Sequence, residues 1–222
     1  MKLKKIASLM LAGVMAVSML AGCSGKSTDD NNNGQENNNG QATGVSATFA
    51  SYLSKDNITF SDDSAYQMLL ADAIKNVADA NITKAGDPDI VKNGEPLTTL
   101  DKVMFATNWE NISSAAATAE YIKSSNADEG KNTYYFVYNV SDDYDQNVVL
   151  RKIANDVDDV FAALPENNIR DNMKPGSTYY TYKYTGSVSS ADVSTKNGKD
   201  TATYIMVTLT VESTKAEMPK AK

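Results

Sequence analysis

Thr178 to Glu212 reads TYYTYKYTGSVSSADVSTKNGKDTATYIMVTLTVE, and its pattern decides the fold. In the second half, Thr203, Ile205, Val207, Leu209 and Val211 alternate with Tyr204, Met206, Thr208 and Thr210. A period of two sends successive side chains to opposite faces of a strand, so one face of this segment is buried. The first half is rich in tyrosine, threonine and valine, which suit a pleated surface. Between the halves stands Asn197-Gly198, a pair suited to a type I′ turn. Residues 178–193 and 200–212 are therefore expected to form a hairpin, with the polar tail 215–222 frayed beyond it.

Upstream, TYYFVYNV over 133–140 is aromatic and β-branched and predicts a third strand. Ser141-Asp142-Asp143 is placed to cap the helix that follows, in which Val149, Ile153, Val157, Val160, Phe161 and Leu164 keep helical spacing until Pro165 stops it. A helix with a small-residue face is expected through Ile112, Ala115, Ala116, Ala119 and Ile122. Ser61-Asp62-Asp63 opens another over about 62–80, with Tyr66, Leu70, Ala73, Ile74 and Val77 inward. Leu97 to Thr107 fits helix and strand equally, and 84–96 reads as loop from Gly86-Asp87-Pro88 and Gly94-Glu95-Pro96. Helices gathered early and a hairpin late give an α+β domain over 45–214. About three helices are expected on one face of a small antiparallel-rich sheet that ends in the β-hairpin.

The amino terminus carries Lys2, Lys4 and Lys5, then an uncharged apolar run of 15 residues, Ile6 to Leu20. That run is too short for a spanning helix, which needs roughly 20, but it suits a signal-peptide core. It ends in Leu20-Ala21-Gly22-Cys23, which resembles the lipobox of bacterial lipoproteins. The resemblance implies removal of 1–22 and a diacylglyceryl group on Cys23. It also implies a lipid-anchored protein of the cell membrane, facing the extracytoplasmic side. Residues 23–44 then form a tether whose Asn/Gly-rich composition cannot bury enough surface to fold. Its flexible length averages roughly 25 Å.

Loss of the three signal lysines, from 21 basic residues against 28 acidic, moves the net charge from −7 to −10. Such a surface repels phosphate backbones, so nucleic acid is not an expected partner. Histidine is absent and Cys23 is the only cysteine, which removes imidazole catalysis, disulfides and Cys/His zinc sites. Asp29-x-Asn31-x-Asn33-Gly34 and Asp143-Tyr144-Asp145 imitate calcium-loop openings, but Gly40 and Ala154 stand where the bidentate glutamate belongs. Asp156, Asp158 and Asp159 read as a solvated helix face. No metal, cofactor or catalytic residue is expected.

Tyrosine is the unusual feature. Tyr180, Tyr182 and Tyr184 fall on one side of a strand and, if that side is open, would give sugar rings or an extended peptide a flat platform. The competing reading is a half-buried face under a helix. Trp109, the only tryptophan, can stack a ligand or pack at the core edge. These four are the candidate ligand-binding residues. The leading expectation is a non-catalytic surface module that binds a glycan, a peptide or an envelope protein. The alternatives are a substrate-binding lipoprotein of an importer and, behind it, a carboxylate-dependent envelope hydrolase.

Overall fold

A computed structural model describes residues 44–109 and 115–220, all within a compact unit that begins at Gly40. The signal segment, Cys23 and the tether up to residue 43 lie outside the described residues, as do residues 110–114 at the expected start of the alanine-rich helix. In chain order the elements are α1 (Val45–Ala50), β1 (Ile58–Phe60), α2 (Ser64–Ala73), a 3₁₀ turn (Ile74–Asn76), α3 (Asp79–Ile82) and β2 (Asp89–Ile90). There follow α4 (Leu97–Val103), β3 (Thr107–Asn108), α5 (Ala115–Ser125), β4 (Gly130–Ser141), α6 (Gln146–Ala162), β5 (Thr178–Ser194) and β6 (Thr201–Glu217). The fold is α+β, with a mostly antiparallel sheet in the order β1-β5-β6-β4-β2 and β3 also on β4.

The hairpin is the frame. Thr178 pairs with Glu217 and Ser194 with Thr201, so two strands of 17 residues run side by side for roughly 55 Å. The tail expected to fray from Lys215 therefore continues the ladder to Glu217, and Met218 still donates its N–H to the Ser177 carbonyl at 2.9 Å. The connection is not a two-residue turn on Asn197-Gly198, which would set Lys196 directly opposite Lys199, a like-charge pair that a sheet disfavours. Instead Thr195 to Asp200 form a loop in which Gly198, at φ 67°, donates to the Thr195 carbonyl, and Asn197 Oδ1 accepts from Lys199 N–H at 3.0 Å.

Alternation along β4, β5 and β6 sorts the core into two layers. On the first face, Tyr134, Phe136, Tyr138 and Val140 join Tyr184, Val188, Ile205, Val207, Leu209 and Val211 under α1, α5 and α6. On the second face, Tyr135, Val137, Ala202, Tyr204 and Met206 lie under α2, the 3₁₀ turn, α3 and α4. Helices thus cover both faces and not one. The cause is that the strands carry apolar side chains at both parities near the hairpin loop: Tyr204 and Met206 are as buried as Ile205 and Val207.

Local details follow the same logic. The helix expected over 62–80 stops at Asn76, because Val77 turns extended (ψ 132°) and the chain folds back to bury Ile82 in the same layer. Asp63 is its cap, accepting from Ala65 N–H at 2.8 Å. The cap of α6 is Asp145 and not Ser141-Asp142-Asp143, because β4 runs on to Ser141; Asp145 accepts from Asn147 N–H at 2.9 Å. The ambiguous stretch 97–107 resolves into both structures, α4 and the start of β3.

Candidate functional site

The two outer strands leave little backbone free, and that fixes where a ligand can approach. On the β5 side, Asn167 and Asn168 pair with Thr181 and Tyr180, and β1 pairs parallel with Tyr184–Gly186. Beyond β1, side chains take over. Ser46 Oγ accepts from Val188 N–H at 2.9 Å, while the Gln67 amide accepts from Ser190 N–H at 3.1 Å and donates to its carbonyl at 2.7 Å. On the β4 side, β3 and β2 pair with Tyr134–Tyr135 and with Tyr138–Asn139, and Val91 N–H reaches the Val137 carbonyl at 2.8 Å. Strand addition, the common way to hold an extended peptide, finds these edge positions already bonded.

The four candidate residues all lie on the first face, where Trp109 packs against Tyr134 and Tyr182 against Tyr184. Trp109 lies tilted against the Tyr134 ring at 5.4 Å, and Tyr121 of α5 stands edge-on to Tyr134 at 6.0 Å. Tyr182 and Tyr184 lie 6.4 Å apart. Tyr184 is buried and donates to the Pro165 carbonyl at 2.5 Å, while Tyr182 is half-buried and reaches the Lys123 carbonyl at 3.4 Å. Tyr180 is half-buried, its backbone tied to Asn168. Trp109 is 9% exposed. The open-platform condition is therefore not met by Tyr184 or Trp109, because α5 and the turn after α6 sit over them.

Burial raises the phenol pKa of Tyr134, Tyr182 and Tyr184, with Tyr182 pushed up to about 12. All three are neutral hydrogen-bond donors near pH 7. Asn126, itself buried, joins this layer by donating to the Ile122 carbonyl at 2.9 Å and to Tyr134 Oη at 3.2 Å. Thr118 Oγ1, on α5 itself, is buried and has no hydrogen-bond partner among the described residues.

The uncovered surface is elsewhere. Gln67 anchors the first turns of α2 at Ser190, and Asp101 of α4 accepts from the Tyr135 hydroxyl, so helical cover on the second face ends near the row Tyr135–Thr208–Ser187. Beyond it the register aligns Thr133–Thr210–Thr185 and then Lys131–Glu212–Lys183 across β4, β6 and β5. Thr185, Lys131, Glu212 and Lys183 are exposed; Thr133 is half-buried and Thr210 buried, and these two share a hydrogen bond at 3.0 Å.

Val103, at the end of α4, and Phe105, just beyond it, are both exposed, Phe105 completely so. Phe105 follows Met104, which is buried in the second layer, and precedes β3, whose Thr107 pairs with Tyr134. Asn108 pairs with Tyr135 and so shares the second face; its Oδ1 is buried without a partner among the described residues. The exposed polar part of the second face is thus a ledge of Lys131, Glu212, Lys183 and Thr185.

Sequence reasoning missed this ledge, although its signal was present. Thr181, Lys183 and Thr185 alternate against the tyrosines, just as Thr208, Thr210 and Glu212 alternate against the apolar set. As for chemistry, Asp156 is the one carboxyl among the described residues that burial raises, and the charge acting on it is the Lys152 ammonium and not a second carboxylate. Asp87, exposed, is held low by the Tyr144 hydroxyl at 2.5 Å and by Lys152. Among the described residues no group of three or more acid side chains is placed to hold a metal ion, and no helix is long and apolar enough to cross a membrane. Comparison with protein families, curated proteins and solved structures finds no match.

Proposed function

We propose that this is a lipid-anchored, extracytoplasmic cell-surface protein whose folded part is a non-catalytic binding or interaction module for a glycan, a peptide or an envelope protein. The anchor rests on the signal-like amino terminus and Leu20-Ala21-Gly22-Cys23. Two acyl chains hold a protein at a bilayer without any basic patch, which suits an acidic chain. The observation that carries the binding reading is a row of exposed polar side chains, Lys131, Glu212, Lys183 and Thr185, aligned across three paired strands on the second face. A flat surface of this kind suits recognition better than bond making. Acid–base chemistry wants opposed groups in a concave site, and the Asp156 surroundings offer a lysine in place of a second acid.

Two measurements test the reading. Mass spectrometry of the native protein is expected to find a diacylglyceryl thioether on Cys23 as the amino-terminal residue; an unmodified thiol there, with the protein free in the medium, overturns the anchor. Sedimentation with purified cell envelopes is expected to retain the folded part after the lipid is removed. A sharp rise in melting temperature with a small metabolite, and no envelope retention, would instead support the importer reading.

A further inference from the structure

The sequence holds four Asn-Gly pairs, and two of them, Asn93-Gly94 and Asn197-Gly198, lie among the described residues. The pair is chemically special because glycine has no Cβ to keep its own nitrogen away from the preceding side chain. Once the glycine N–H gives its proton to a solvent base, the nitrogen can attack the asparagine Cγ. The N–Cγ bond forms, the Cγ–Nδ2 bond breaks, and the amide nitrogen takes up a proton and leaves as ammonia. Water then opens the five-membered succinimide at either carbonyl, giving aspartate or isoaspartate. The balance is water in and ammonia out, with no oxidant or reductant.

In conformation and exposure the two pairs are matched. One stands in the loop between β2 and α4, the other in the loop of the hairpin. Both asparagines and both glycines are exposed. Gly94 has φ 76° and Gly198 φ 67°, so each turn calls for a residue in the left-handed region. A Cβ added to either glycine would meet nothing within 4 Å, so neither turn is crowded there.

Hydrogen bonding separates them. Gly198 N–H donates to the Thr195 carbonyl at 2.8 Å, which keeps the nucleophile protonated and occupied. Asn197 Oδ1 accepts from Thr195 Oγ1 at 2.7 Å and from Lys199 N–H at 3.0 Å, which fixes the carboxamide. Thr195 is itself buried, and its Oγ1 accepts from Asp200 N–H at 3.2 Å, so the hold is anchored in the loop. These bonds have to open before Gly198 N can reach the Asn197 Cγ. At the other pair, Gly94 is engaged through its carbonyl, which accepts from Thr98 N–H at 2.9 Å and Thr98 Oγ1 at 3.0 Å. Its N–H and the Asn93 carboxamide have no hydrogen-bond partner among the described residues.

We infer that Asn93 is a site of spontaneous deamidation in the folded protein, and that the hairpin loop withholds Asn197 from the same reaction. The inference stands apart from the binding reading. Each event adds a negative charge ahead of α4, two residues from Glu95. The isoaspartyl product also lengthens the backbone between Val91, whose N–H is bonded to the Val137 carbonyl at 2.8 Å, and Leu97, which is buried in the second layer.

The test is timed incubation of the full chain in mildly alkaline buffer, folded and in guanidinium chloride, followed by cleavage before aspartate and mass spectrometry. The cuts release Asp89–Leu100 and Asp192–Lys199, each with its asparagine in the interior. A new aspartate appears as an extra cut and isoaspartate as an uncut peptide of higher mass, both corrected with an unincubated sample. In denaturant both pairs are expected to react, which gives each its own unfolded rate. In the folded chain Asn93 should stay within a few-fold of that rate, while Asn197 should fall below its own by roughly tenfold or more, the scale of opening several hydrogen bonds. Folding that protects Asn93 as strongly as Asn197, or that leaves both at their unfolded rates, overturns the inference.

Discussion

The two faces of the sheet are made by the same three long strands and meet opposite fates. The first is roofed over its middle by α1, α5 and α6, and Tyr134, Tyr138 and Tyr184 are buried beneath them. The second is roofed toward the hairpin loop, where Tyr204, Met206 and Val137 give α2 and α4 something to bury, and it opens through half-buried Thr133 and buried Thr210 to exposed Thr185, Lys131, Glu212 and Lys183. Helices stop where the apolar parity stops. A surface left open in this way keeps a paired backbone, because β6 is laddered to β4 and β5 along it.

The largest expected effect is alkaline. Burial raises the pKa of Tyr134, Tyr138, Tyr182, Tyr184 and Tyr204, and of Tyr135, whose hydroxyl also donates to Asp101. A group whose folded pKa lies above its unfolded value stabilises the fold fully below the unfolded value, near 10 for tyrosine, and that stability is lost as pH rises through the folded values. Four of these phenols belong to the first layer and two to the second. The expected outcome is cooperative loss of far-ultraviolet ellipticity above about pH 10, coincident with a late phenolate absorbance step. Independent titration of all twelve tyrosines near pH 10 with the fold intact would contradict the buried layers.

Next comes the depth of each layer. Phe136 packs on Tyr138 at 5.8 Å and on Phe161 at 6.3 Å, under α6. Phe136→Ala is expected to cost about 3–5 kcal/mol in urea unfolding, because the roof above it cannot collapse into the space. Met206→Ala, in the smaller layer of the second face, should fall toward the lower end of about 2–5 kcal/mol. Equal losses would mean the two layers are equally rigid.

A narrower effect tests the β1 edge. A Cβ on Gly186 would come within 2.5 Å of the Phe60 ring, so Gly186→Ala forces that ring to shift and is expected to cost about 1–3 kcal/mol. Phe60 itself rests on Phe49 at 5.3 Å, so the shift should pass to α1 and weaken amide protection at Ser46 and Val188.

Much of this arrangement was legible in the sequence, and the reason for the rest is local. Alternation in Thr203 to Val211 and helical spacing in Val149 to Leu164 are periodic signals, and both elements form. Tyr180, Tyr182 and Tyr184 do share a side, but periodicity cannot say which side a roof will cover. That depended on contacts between distant residues, such as Gln67 on Ser190 and the Tyr184 hydroxyl on Pro165, which carry no pattern in the chain. Likewise Asp145 and not Asp143 caps α6 because β4 pairs with β6 as far as Ser141, a register set by the partner strand. The ledge was hidden because threonine is read as a strand former first; its exposure is visible only once the end of the helical cover is known.

The smallest expected effect separates the faces most cleanly, because it uses one strand and one pair of residue types. Val207 and Thr210 stand three residues apart on β6, on opposite sides. Val207→Thr places a hydroxyl in the fully roofed first layer, where no partner is offered, and should cost about 1–3 kcal/mol. Thr210→Val removes a buried hydroxyl bonded to Thr133, which is itself only half-buried and can turn to water, and should cost no more than about 1 kcal/mol. The asymmetry is the point: the two exchanges are the reverse of each other, and only access to water distinguishes them. If Thr210→Val proved as costly as Val207→Thr, the Thr133–Thr210 pair would be a structural bond, and the second face would be closed as far as that row.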